Sequence, residues 1–258
     1  MRLTCRAIGK VYQTPSGPVR ALEDVTFTAC EGELVCLVGP SGCGKTTVLR
    51  LITGLLSPTS GEVSFDVPPA AGRLRSALVF QGDGLFPWMS VLDNVAFGLE
   101  AQGIARQPRR ERAQTLLDTI GLGGFAERYP HQLSMGMRQR ASLARALLID
   151  PHVLLMDEPL GSLDAQTRLV LREEILRVWE SRPTLLIYVT HDIEEAVLMA
   201  DRVLVMTGLP GRIREEIVIP SPRPPDASIA ARPDLAIILR HIWQLLQHDV
   251  RKHLGLPP

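Results

Sequence analysis

Net charge is missing from this sequence. So are long apolar runs and any paired pattern of cysteines. Lysine plus arginine number 28 and aspartate plus glutamate 28, so the formal charge sums to zero. That balance gives no electrostatic case for nucleic acid or anionic lipid as a bulk partner. Cys5, Cys30, Cys36 and Cys43 form no CxxC pair and no metal-ligand spacing, which predicts reduced cytosolic thiols rather than a disulfide framework. No apolar run is long enough to span a bilayer, and the opening MRLTCRAIGKVYQ lacks the apolar stretch of a signal peptide. Any role at a membrane must therefore go through a partner. What is present is an ordinary globular composition, 45% apolar and 22% charged over 258 residues. That suits one large domain, or a core with a smaller subdomain.

Along the chain, the first third reads as short strands, CRAIGKVY, ALEDVTFTA, GELVCLVG and GEVSFDV, separated by turn clusters such as QTPSGP. LVCLVG is continuously apolar, the pattern of a buried strand, and it runs into a glycine-rich loop and a helix beginning near Lys45. From Ser90 to Ile149 the periodicity is helical. HVLLMDEP is a second fully apolar strand, followed by a helix over DAQTRLVLREEILRVWE, then strand TLLIYVT, helix DIEEAVLMA and strand RVLVMT. Strands alternating with helices predict a parallel sheet, here with a helical insertion in the middle third. PSPRPPDAS is a proline-rich linker, and helical spacing returns in PDLAIILRHIWQLLQHDVRKHL.

GPSGCGKTT, Gly39 to Thr47, fits G-x-x-x-x-G-K-S/T in the right context, after an apolar strand and at a helix start. Gly39, Gly42 and Gly44 let backbone N–H groups point around phosphate oxygens, and the helix N-terminus adds positive potential. Lys45 can reach the β- and γ-phosphates, and Thr46 can offer its hydroxyl to Mg²⁺. Cys43 sits inside this loop, where the helix terminus is expected to lower its thiol pKa. In VLLMDEP, a carboxylate ends a buried apolar strand, which is costly unless it meets a cation. Asp157 is placed to hold Mg²⁺, and Glu158 to polarise an attacking water as general base.

These residues resemble the ATP-binding subunits of ABC transporters, with the motifs in that family's order to about Pro220. They are GPSGCGKTT, Gln81 in VFQGDGLFPW, LSMGMRQR, LLMDEP, GSLDA and His191 in VTHDIEEA. The resemblance implies an α/β fold, a P-loop (RecA-like) core with a helical insertion subdomain and a small antiparallel β-subdomain. It implies an ATPase domain over 1–220, with the helical subdomain about 88–150, and a linker and tail over 221–258. It also implies roles by position. Gln81 would reach Mg²⁺ and the attacking water, and His191 the γ-phosphate. Tyr12 would stack on adenine, and Asp164 would communicate across a dimer. The loop from Gly39 through Pro40, Ser41, Gly42, Cys43, Gly44, Lys45 and Thr46 to Thr47 would hold the phosphates. Ser134 and Gly136 match the signature residues that contact the γ-phosphate bound to the other subunit.

Met135 stands where the family's first signature glycine belongs. If the position needs left-handed geometry, its Cβ costs about 1–2 kcal/mol; if it needs only clearance, the flexible side chain swings aside at small cost; the expectation is an active but weakly closing dimer. LFPWMSVLDNVAFGLE and HDIEEAVLMADRVLVMTGLPGRI look most like the nitrate, sulfonate, taurine and bicarbonate importer branch. The resemblance implies the following. Two copies sandwich ATP and Mg²⁺ head to tail. Transmembrane permease subunits hold the chain at the cytoplasmic face of the inner membrane, and a solute-binding protein acts indirectly. Nucleic acid is not a partner. Phe86 and Trp88 have two readings, contact with a permease helix or packing inside the helical insertion. Two other functions stay open, a soluble non-transport ABC ATPase and a nucleotide-binding regulatory module with weak hydrolysis.

Overall fold

The computed structural model describes residues 1–66, 74–80, 82, 84–161, 163–181, 184–220 and 232–253. The chain opens with β1 (Arg2–Thr14), β2 (Gly17–Cys30), β3 (Leu34–Val38), α1 (Lys45–Ile52), β4 (Ser60–Phe65) and β5 (Ser76–Val79). Helices follow: α2 (Val91–Ala101), α3 (Arg106–Thr119) and α4 (Met135–Leu148). Then come β6 (Val153–Asp157), α5 (Ala165–Ser181), β7 (Leu185–Thr190), α6 (Ile193–Met199), β8 (Arg202–Met206), β9 (Ile213–Val218) and α7 (Pro233–His253). The chain divides into two compact units, Met1–Pro68 with Leu185–Pro258, and Pro69–Thr184.

In the first unit β3 lies between β7 and β8, parallel to both, and β9 closes that edge antiparallel to β8. All five β3 residues and all six of β7 are buried, which is why both read as unbroken apolar runs. A separate antiparallel sheet sets β1 between β2 and β4. Its hairpin is longer than the sequence suggests. QTPSGP reads as a turn cluster, but β1 runs to Thr14 and β2 resumes at Gly17. Register shifts near Ile8 and Lys10 bend the pair and blur the period-2 alternation. β9 is also absent from the sequence reading. Its burial alternates, but Glu215 occupies an inward position, so the apolar alternation that marks a strand is broken.

In the second unit β5 and β6 pair in parallel. Leu92, Val95, Leu117, Leu122, Ala141 and Ala144 form the apolar core shared by α2, α3, α4 and the turn after α3. Ser90 starts α2, its hydroxyl accepting from the Asp93 N–H at 3.1 Å. Asn94 is fully buried and fully bonded. Its amide donates to the carbonyls of Phe86, Met89 and Ser90, and its Oδ1 accepts from the Phe86 N–H. One side chain thus fixes the whole Phe86–Ser90 turn.

Candidate functional site: a phosphate loop and a signature loop

The loop between β3 and α1 is held by close approaches that only glycine allows. At Gly39 an added Cβ would meet the Met206 carbonyl at 2.8 Å and the Cys43 sulfur at 2.9 Å. Gly44 has φ +101, a left-handed conformation at the N-cap of α1, and no side chain caps that helix. Lys45 is only 5% exposed. Its ammonium donates to the Gly39 carbonyl at 2.8 Å and the Pro40 carbonyl at 3.1 Å, so the charge is turned onto the loop. Burying an ammonium is costly without such partners. Cys43 corrects the expectation from sequence. Its thiol pKa is raised, because burial outweighs the opposing Lys45 charge and backbone N–H groups. Thr46 and Thr47 lie half-buried in the first turn of α1.

Tyr12 reaches this region from β1. Its hydroxyl lies 3.3 Å from Thr47 Oγ1, and the Lys10 ammonium sits 5.6 Å above its ring. His191 is exposed at the end of β7 in the same unit. The residues around it are tied by a network that sequence reasoning missed. Buried Glu195 accepts from the Tyr188 hydroxyl at 2.9 Å and the Thr190 hydroxyl at 2.5 Å. Thr190 Oγ1 in turn accepts from the Asp192 N–H at 3.0 Å. The Asp192 carboxylate caps α6 by accepting from the Glu195 N–H at 3.1 Å. Both neighbours of His191 are therefore fixed. Burial and the Glu195 charge push the Tyr188 phenol well above its ordinary range. The available signal was a glutamate on the apolar face of VTHDIEEA.

In the second unit Asp157 ends β6 and is 7% exposed. Glu158 follows at φ +47, uncommon for a residue with a Cβ and worth about 1–3 kcal/mol of local strain. Ser134, Met135, Gly136, Leu163, Asp164 and Val170 line one cavity of about 630 Å³. Ser134 is the N-cap of α4, its hydroxyl accepting from the Met137 N–H at 3.3 Å. Met135 is already helical, and it is not among the non-glycine residues with positive φ. The left-handed cost expected for this methionine therefore does not arise. Asp164 accepts from the Thr167 N–H at 3.0 Å and the Thr167 hydroxyl at 2.7 Å, which hold its carboxyl below the usual range. Phe86 packs edge-on to Phe97 at 4.8 Å and lies under the Arg145 guanidinium, whereas Trp88 is 71% exposed. Gln81 lies outside the described residues. Among the described residues no cluster of histidine, cysteine, aspartate or glutamate could hold a metal on its own, and no helix is long and apolar enough to cross a membrane.

A glycine-rich loop between a buried parallel strand and an uncapped helix, with a buried lysine turned onto it, defines a P-loop NTPase fold. The ABC transporter family model matches residues 22–161, and the chain belongs to that family. An ABC transporter ATP-binding protein of Methanocaldococcus jannaschii is 44% identical over 98% of this chain and 94% of its own. The taurine import ATP-binding protein of Burkholderia pseudomallei (strain K96243) is 46% identical over 82% of each chain. The nitrate import ATP-binding protein of Synechocystis is 44% identical over 86% of this chain and 84% of its own. Among solved structures, the dimeric structure of a post-hydrolysis state of an ATP-binding cassette bound to ADP and Pi matches with TM-score 0.73. It is 30% identical and covers 85% of this chain and 99% of that one. The enzyme class is ATPase.

Proposed function

We propose that the chain is the ATP-hydrolysing subunit of a membrane importer for a small anion such as nitrate, sulfonate, taurine or bicarbonate. The observation that carries the ATPase half is Lys45, buried and turned onto the phosphate loop. The importer half is supported by relatives named for taurine and nitrate import at 44–46% identity. Those names also favour transport over a soluble ABC ATPase or a regulatory module. The ATPase domain spans 1–220, with a helical subdomain about 88–150 and a tail beyond.

The loop suits a polyphosphate. A Cβ placed on Gly42 meets nothing within 4 Å, and the first turn of α1 has no side-chain cap. Gly39 to Thr47 hold the phosphates, with Lys45 neutralising charge on the β- and γ-oxygens, and Tyr12 stacks on adenine. Thr46, Asp157 and Gln81 are the residues for Mg²⁺, which offsets negative charge on the transferred phosphoryl group when bound. Glu158 accepts the proton of the attacking water. His191 contacts the γ-phosphate, its position fixed through Thr190, Asp192 and Glu195. Ser134, Gly136 and Asp164 serve the ATP bound to a second copy, arranged head to tail. The dimeric cassettes of similar fold support a dimer. Transmembrane permease subunits hold the chain at the cytoplasmic face of the inner membrane, with exposed Trp88 among the contacts, and a solute-binding protein acts indirectly.

Glu158→Gln tests the reading. Its amide cannot take the water's proton, so hydrolysis should fall by about 100-fold or more while ATP binding persists. Size-exclusion chromatography with ATP and Mg²⁺ should then show a trapped dimer. A fully active variant would remove Glu158 from the base role.

A further inference from the structure

Helix α7 docks within the first unit along one stripe. Leu235, Ile242 and Leu246 are buried at 1%, 0% and 5% exposure, and the helix packs against α6 and β8. Two polar contacts fix it to β9. The Arg214 guanidinium donates to the Leu245 carbonyl at 2.8 Å, and His241 Nε2 lies 2.8 Å from Glu215. The next residue of the stripe, one helical step past Leu246, is Asp249 rather than an apolar side chain. Its Oδ2 is buried with no hydrogen-bond partner among the described residues. A carboxylate there costs docking energy, so packing does not account for it. Asp249 instead shares a cavity with the phosphate loop. Together with Pro40, Ser41, Gly42 and the Thr207–Pro210 turn it lines a cavity of about 670 Å³. Its charge also contributes to raising the Cys43 thiol pKa, so its field reaches inside the loop. Among the described residues the one cation lining that cavity is Arg212, and it is engaged by the Glu23 carboxylate.

We propose that Asp249 is a specificity-determining residue of the nucleotide site. Its carboxylate disfavours ligands in proportion to their negative charge, so a triphosphate binds less tightly relative to a diphosphate than the loop alone would allow. This rests on the reading of Gly39–Thr47 as a nucleotide phosphate site.

Calorimetric titration with ADP and a non-hydrolysable ATP analogue, both with Mg²⁺, tests it on the full chain. Asp249→Asn should tighten the ATP analogue about three- to tenfold at low salt and ADP less, and the gain should shrink as salt rises. Asp249→Glu, which keeps the charge, should stay near the wild-type value. Asp234→Asn makes the same net-charge change at the exposed N-terminal end of α7 and should do nothing. The proposal is overturned if Asp249→Asn leaves both affinities unchanged, tightens both equally, or is matched by Asp234→Asn. If the wild type binds neither nucleotide, the reading of the loop fails, and the proposal falls with it.

Discussion

Two helices of this protein begin at candidate phosphate contacts, and they begin differently. Helix α1 starts at Gly44, left-handed, an N-cap residue with no side chain to cap the helix. Helix α4 starts at Ser134 in extended conformation, and the Ser134 hydroxyl already satisfies the Met137 N–H. The N-terminus of a helix favours an anion, the more so where no N-cap side chain competes for it. A capped start offers fewer N–H donors, and its affinity must come from the capping hydroxyl itself. On the proposed reading the Gly39–Thr47 loop binds its ligand by its backbone, whereas the signature loop is an ordinary helix start that presents a serine. Met135 fits this helix start without backbone strain. The first turn of α4 requires no positive φ, and the methionine is 46% exposed beside the cavity.

Lys45→Ala should have the largest effect on that contrast. It removes a buried ammonium and leaves the Gly39 and Pro40 carbonyls without it, so nucleotide affinity should fall by about 3 kcal/mol, roughly 100-fold. Fluorescent ATP-analogue titration measures this, and unchanged affinity would break the account of the loop. Gly44→Ala comes next. A Cβ would stand 2.6 Å from Leu22 Cδ2 at φ +101, so about 2 kcal/mol should be lost in both folding and nucleotide binding. Equal melting temperatures for the variant and the wild type would show that α1 does not need this conformation.

Ser134→Ala should cost about 1 kcal/mol of stability through the lost cap, read by thermal melting. It should leave binding of the chain's own ATP intact. If that binding weakened as much as in Lys45→Ala, the two helix starts would not differ as argued. The smallest effect belongs to Met135→Gly. With no left-handed strain to relieve, the glycine should cost about 0.5–1 kcal/mol of helix stability. It should weaken ATP-driven dimerisation in the Glu158→Gln background. A tighter dimer would restore the steric account that the helical backbone argues against.

Much of the local structure around the candidate site was legible because its signals are contiguous. The apolar run Leu34–Val38, the loop Gly39–Thr47 and the run Val153–Asp157 each fix their own geometry over a few residues. Asp164 as a cap was equally local, since its partner Thr167 is three residues on. β9 was not legible, because pairing with β8 rather than its own pattern makes it a strand.

The sequence by itself determined that this chain has a P-loop NTPase fold and belongs to the ABC transporter family, since order and spacing of short motifs are properties of the chain. Tertiary structure alone decided the rest. It raised the Cys43 thiol where a helix terminus predicts lowering, because burial depends on everything packed around a side chain. It put Glu158 at positive φ and set Glu195 between two hydroxyls. It also brought Asp249 to a cavity shared with Ser41 and Gly42, some two hundred residues earlier. No local periodicity encodes a contact at that separation, because it exists only once the segments between are packed.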